Sequence, residues 1–131
     1  MRELPNWWTA AEVTVPFPER VAAMGTRCSE IDGNPDGLSG ACFEGIGKII
    51  AAEVNLNADR VVTACDTSTN APGYRLRCLS GASYEFRAAN APDFAATCED
   101  FKLSGASLEF CREYMTTRPP QRGTTPVPAG I

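Results

Sequence analysis

The chain contains no histidine. That absence removes Ser-His-Asp and Cys-His nucleophilic catalysis, imidazole ligation of metals, CxxCH haem attachment and the HExxH zinc site. Basic blocks are missing as well. Twelve Lys and Arg stand against sixteen Asp and Glu, a net charge of -4, so nothing offers nucleic acid an electrostatic footprint. No run approaches the ~18 to 20 apolar residues that span a bilayer. The longest candidate, Ile46 to Val54, is interrupted by Lys48 and Glu53. Met1-Arg2-Glu3-Leu4-Pro5 has no apolar core of a secretory leader behind it, so a processed chain or a piece of a longer protein is expected. Bulky side chains are scarce too. Hydrophobic residues make up 44% of the chain, but Ala and Gly are frequent among its small residues and large aliphatics thin out after Ile50. One domain of 131 residues with so few large side chains is marginal on burial alone.

Six cysteines offset that weakness. They fall into three pairs, Cys28/Cys42, Cys65/Cys78 and Cys98/Cys111, with twelve or thirteen residues between the members of each. First members recur after 37 and 33 residues and second members after 36 and 33. A period in the thirties marks helical-hairpin repeats. Zinc sites bring two ligands within a few residues of each other, and no two cysteines here are that close. The spacing therefore predicts one disulfide per hairpin, each closing a loop of about 15 residues worth about 3 kcal/mol in the chain-entropy model. An even count of paired cysteines also points to an oxidising compartment, periplasmic or extracellular.

The predicted fold is all-α: three disulfide-stapled antiparallel hairpins, stacked as a short right-handed solenoid or compact bundle, with an extended arm at each end. The arms are residues 1–18 and the Pro-rich 117–131, and the repeats cover about 19–56, 57–89 and 90–116. In the first arm Thr9-Ala10-Ala11-Glu12 fits a capping box and Val13-Thr14-Val15 reads as extended chain. Repeat one should hold helices over Glu19 to Ser29 and Leu38 to Val54, with Asp32-Gly33-Asn34-Pro35-Asp36-Gly37 as the turn. Leu38, Cys42, Gly45, Ile49 and Ala52 share a stripe, which the pattern makes the buried seam. Repeat two should run Arg60 to Thr67, capped by Asn57 or Asp59, then Tyr74 to Ala89. Repeat three should run Ala91 to Lys102, started by Asn90, Pro92 and Asp93, then from a Ser104 cap to about Met115. Gly45 and Gly81 each follow a cysteine by three residues and should let a hairpin close on its own disulfide. Tyr114 stands at that position in repeat three and suggests an end cap.

Candidate sites are sparse. Carboxylates pair at Glu99/Asp100 and at Glu109/Glu113, but Lys102 and Arg112 nearby make solvated faces of them. The Asp32 to Gly37 segment alternates oxygen ligands, yet the twelfth position from Asp32 is Phe43 and Pro35 intrudes, so it is a turn and not an EF-hand loop. Trp7 and Trp8 are the only tryptophans and lie in the first arm; aromatics so placed anchor in a partner, at a membrane interface or back on the first hairpin. Arg118 and Arg122 give the second arm positive charge suited to an acidic or headgroup surface.

The staple-per-repeat plan is similar in outline to disulfide-stapled Sel1-like repeat proteins, although their glycine and tyrosine consensus and shorter cysteine spacing are absent. No family is identified. Helical repeat arrays mostly offer surface to other proteins. The expected function is a non-catalytic, extracytoplasmic interaction module, an accessory or structural subunit of a larger, membrane-attached assembly, using Trp7, Trp8, Arg118 and Arg122. No cofactor, metal or nucleic acid is expected. The alternative is a small secreted ligand-binding protein with an apolar pocket between hairpins, lined by Tyr84, Phe86, Phe94 and Phe101.

Overall fold

A computed structural model describes residues 16–116 and 126–128. Among them are six α-helices, one 3₁₀ turn and no strand. The helices are α1 Phe17–Ser29, α2 Leu38–Glu53, α3 Ala58–Ser68, α4 Pro72–Ala88, α5 Thr97–Asp100 and α6 Gly105–Thr116. The 3₁₀ turn, Phe94–Ala96, precedes α5. Three disulfides join α1 to α2 (Cys28–Cys42), α3 to α4 (Cys65–Cys78) and α5 to α6 (Cys98–Cys111), with Cα separations of 5.4, 5.8 and 5.9 Å. All six cysteines are paired as the spacing predicts. Three cross-links of this kind belong to an oxidising compartment. No helix among the described residues is long and apolar enough to cross a membrane. The capping-box turn at Thr9 to Glu12 and the extended Val13 to Val15 lie outside the described residues.

Local chemistry explains where the helices begin. Pro18 sits in the first turn of α1 and Pro72 at the first position of α4. A missing N–H costs nothing there, so both helices start two residues earlier than expected, and Phe17 and Pro18 belong to the first hairpin rather than to an arm. Asn57 caps α3, its side chain accepting from the Arg60 N–H at 3.0 Å. Helix α2 has Gly37 at its cap, with no side chain to offer, and Asp32 does the work from six residues upstream. One Asp32 oxygen accepts from the N–H groups of Asn34 and Ser39 and the other from that of Leu38, at 2.9 to 3.0 Å. The Ser39 hydroxyl accepts in return from the Asp32 and Gly33 N–H groups. The turn is thus a closed hydrogen-bonded unit, as its composition suggests. The Ser39 N–H, with those of Asn34 and Leu38, holds the Asp32 carboxyl down to about 2, from 3.8.

Asparagine ends the helices where glycine is commoner. Asn55 and Asn90 take positive φ, 54° and 52°, just past α2 and α4. In each case the next residue donates back to the helix, Leu56 N–H to Ala51 and Ala91 N–H to Phe86, which is a Schellman closure. This corrects the fifth helix. Asn90 is spent on ending α4 and cannot also start a helix, and Asp93 is itself left-handed, with φ 56°. Instead of Ala91 to Lys102, the chain makes only the 3₁₀ turn and the four residues of α5.

The second helices of the hairpins lie side by side, α4 between α2 and α6, and the α2–α4 interface is the largest in the molecule. Its contacts advance together along both helices: Phe43 stacks on Tyr74, Gly81 meets Glu44, Gly47 meets Cys78 and Ala82. The two helices therefore run parallel, as successive hairpins of a repeat do. Glycine sets their separation. A Cβ on Gly81 would stand 2.1 Å from the Glu44 carbonyl oxygen, and one on Gly47 would stand 1.9 Å from that of Cys78. Gly25 of α1 meets the Ser68 carbonyl of α3 in the same way. The expectation that Gly45 and Gly81 serve their own hairpins is therefore wrong. Gly81 lets one hairpin close on the next, whereas a Cβ on Gly45 would meet no other side chain or hairpin of the described residues within 4 Å. A disulfide needs only two Cα atoms close at one point, whereas parallel helices must stay close over several turns.

Two outcomes follow. Leucine at Gly81 or at Gly47 has no room and should destabilise by at least the ~1–3 kcal/mol of overpacking. Alanine at Gly45 should be neutral or stabilise by up to ~1 kcal/mol through helix propensity. Urea midpoints of the three variants check this ordering. The Asp32 carboxyl favours its ionised form more in the folded chain than in the unfolded one. Its contribution is fully present above 3.8 and is lost as the pH falls through about 2. Acid titration of stability should show that loss in the parent, and a shallower slope over the same window in Asp32→Asn.

Candidate functional site

The most organised polar cluster is centred on Arg77, whose side chain is almost completely buried. Helix α4 carries it into the seam with α2, beside the Cys65–Cys78 bridge. Nε donates to the Pro35 carbonyl at 2.8 Å, Nη1 to Glu44 Oε2 at 2.8 Å and Nη2 to Asp36 Oδ1 at 3.2 Å. The guanidinium carbon lies 5.2 Å from the ring centroid of Phe110 on α6. The other Glu44 oxygen accepts from the Tyr114 hydroxyl at 2.9 Å. Asp36 also accepts from the Val127 backbone N–H at 2.8 Å. One cation thus collects groups from all three hairpins and, through Asp36, from the Pro126–Pro128 stretch. Both Glu44 oxygens are engaged inside the protein, which suits positioning rather than proton transfer. Tyr114 is buried and reaches α2, which ties the third hairpin to the first. The second arm is not extended away from the repeats throughout, since Val127 lies on Asp36 and near Gly73.

A second feature is apolar. A groove of about 540 Å³ opens on the first hairpin, lined by Met24, Arg27, Cys28 and Ile31 of α1 and its exit, and by Cys42, Gly45, Ile46 and Ile49 of α2. Ile31 and Leu38 beside it are 51% and 66% exposed, the two large apolar residues that stand out from the surface of the described residues. The repeat explains the groove. Adding the cysteine shifts of 37 for the first helix and 36 for the second maps its α1 residues onto Val61, Ala64, Cys65 and Ser68. Those of α2 map onto Cys78, Gly81, Ala82 and Glu85. All of these but Glu85 are buried in the second hairpin, because the first hairpin covers them. The groove is the same stacking surface, with no hairpin in front of it among the described residues. The stripe Leu38, Cys42, Gly45, Ile49 and Ala52, expected to be the buried seam, is in fact this open side. The true seam of α2 carries Phe43, Gly47 and Ile50.

Other expected positions are not brought together. Trp7, Trp8, Arg118 and Arg122 lie outside the described residues. Phe86 and Phe101 pack edge to face in the core, centroids 5.7 Å apart, while Tyr84 lies under the Lys48 ammonium at 5.3 Å and Phe94 sits in the 3₁₀ turn. These four do not form one pocket, because two of them are needed to fill the core. Glu99 pairs with Arg112 across the exposed face of the third hairpin, which lowers its pKa through that hydrogen bond. Glu109 and Glu113 are exposed. A polar hollow of about 420 Å³ includes Asp59, Asp93, Asp100 and Lys102. No group of three His, Cys, Asp or Glu that could hold a metal occurs among the described residues. No protein-family model, curated protein or solved structure matches the chain.

Sequence reading missed Arg77. A signal was present: its equivalents in the other two repeats are the uncharged Ala41 and Phe110, so the cation is peculiar to the second hairpin. Arg77→Met leaves Glu44 buried with one bond fewer and should cost about 3–5 kcal/mol, whereas removing both charges in Arg77→Met/Glu44→Leu should cost less than the sum of the singles. A double-mutant cycle by urea unfolding measures that coupling.

Proposed function

We propose that this protein is a non-catalytic interaction module of the periplasm or extracellular space, acting as an accessory subunit of a larger, membrane-attached assembly. The observation that carries this reading is the open stacking face of the first hairpin. Apolar surface left exposed next to a groove, where the other large aliphatic side chains among the described residues are buried or half-buried, is the pattern that marks interaction sites. Three disulfides and the Arg77 cluster hold that face in place beforehand, so little ordering cost falls on binding. Trp7 and Trp8 precede the hairpin that bears the face, and tryptophan is enriched at binding hot spots. Arg118 and Arg122 follow α6 and would add contact with acidic groups of the assembly.

A photo-crosslinking residue at Leu38, with a control at exposed Thr63 on α3, tests the reading in cells of the source. The expected outcome is one discrete adduct from Leu38, absent from Thr63 and lost in Ile31→Asp. Equal labelling from both positions, or none from either, would remove the support.

A further inference from the structure

Where the turn of the first hairpin meets the start of α4, Pro126-Val127-Pro128 lies against Asp36 and Gly73. We propose that Pro35, Asp36 and Gly73 form a recognition site for an extended, proline-flanked peptide, and that the chain's own Pro126-Val127-Pro128 occupies it. A partner segment of the same chemistry, with a branched apolar residue between two prolines, binds there by displacing the tail. This site shares no lining residue with the groove of the first hairpin, and it goes beyond the interaction reading without depending on it.

The occupant shows what the site reads. In Pro126-Val127-Pro128 only the valine has a backbone N–H, since proline has none. That N–H donates to Asp36 Oδ1 at 2.8 Å, a bond strengthened by the charge of the acceptor. A central proline would have no proton to give, and a central acidic residue would face Asp36 as a like charge. The flanking prolines hold the segment extended. Pro126 has its φ fixed, and Val127, standing before Pro128, is confined to β or polyproline II backbone. Such a segment loses little conformational freedom on docking, which is the advantage that proline-rich ligands bring to recognition sites. The site is fixed in advance as well. Asp36 Oδ1 also accepts from the buried Arg77 at 3.2 Å, and the Asp36 N–H donates to Asn34 Oδ1 at 2.9 Å. Asp32 closes the same turn through the Leu38 and Ser39 N–H groups. Gly73 makes room for the apolar side chain. Val127 Cγ2 lies 3.7 Å and Pro35 Cβ 3.2 Å from where a Cβ on Gly73 would stand, so valine and proline converge on the space left by a missing side chain. An occupant tethered to its own site acts at an effective concentration on the order of millimolar, so a free ligand enters only as the tail leaves.

The test uses the full chain carrying Val127→Pro, which takes the donated N–H from the tail and leaves the first turn and α4 as they are. The probe is a fluorescently labelled peptide, Thr-Pro-Val-Pro-Ala, followed by polarisation. The expected result is saturable binding to Val127→Pro, about tenfold tighter than to the parent, whose site is free only a small fraction of the time. The same peptide made with N-methylvaline keeps the side chain, loses the N–H and should not bind. Asp36→Ala in the Val127→Pro background should abolish binding too. If Asp36→Ala also lowers the urea midpoint through the Arg77 cluster, the N-methylvaline peptide decides. Absence of saturable binding to Val127→Pro overturns the inference, and so does equal binding of the two peptides, since the site then does not read the N–H. Equal affinity of parent and Val127→Pro overturns the occupancy by the tail. A penalty in the parent that grows with its concentration overturns it as well, by assigning the site to the tail of a second copy.

Discussion

A buried guanidinium needs a partner on every side it presents, and Arg77 finds them in three separate stretches of chain. Pro35 and Asp36 come from the first turn, Glu44 from α2, and Phe110 covers the flat face from α6. Each partner is correctly placed only when its own hairpin is formed and docked. The cluster therefore acts as a test of the whole arrangement: any hairpin out of register strands a charge in a low-dielectric interior. A core of small side chains packs in many nearly equivalent ways, and burial alone discriminates poorly among them. Here the directional demands of one cation select the register, while the surrounding apolar contacts supply the bulk of the attraction.

Division of labour between cross-link and glycine follows from the same scarcity. The disulfides act within hairpins and reduce the freedom of the unfolded chain. They say nothing about how hairpins meet. That is settled by Gly25, Gly47 and Gly81, where a backbone carbonyl of the neighbouring hairpin occupies the place of a side chain. Close approach gains dispersion contacts along the whole seam, which partly replaces the large side chains that the chain lacks. Loop chemistry works at the same scale. Asp32 closes the first turn with backbone donors, and that turn presents Pro35 and Asp36 to Arg77.

A repeat array has two ends, and they are treated differently here. The third hairpin closes with a polar outer face and an Arg112–Glu99 pair. Among the described residues, the first leaves an apolar stacking face open beside Ile31 and Leu38. Terminal repeats in such architectures need a polar cover for solubility. An uncovered face at one end only is a physical asymmetry with a direction, and the functional reading rests on it.

The cysteine rhythm by itself determined the all-α class, the three hairpins and the pairing, because a covalent link between neighbours leaves a periodic trace in sequence. The caps at Asn57 and the Asp32 turn were legible for the same local reason. What sequence could not show is which face of each helix meets which neighbour. Gly45 and Gly81 are identical in local pattern, yet one faces open space and the other a carbonyl, because only the second hairpin has another in front of it. Asn90 reads as a helix start, and it became a helix end once α4 ran its full length. Arg77 is an ordinary surface-type residue until α2, α6 and the first turn surround it. The outcomes at Gly81 and Arg77 depend on contacts between residues 33 to 42 positions apart, and such contacts exist only after the hairpins have docked, whereas Asn90 closes α4 through a local hydrogen bond.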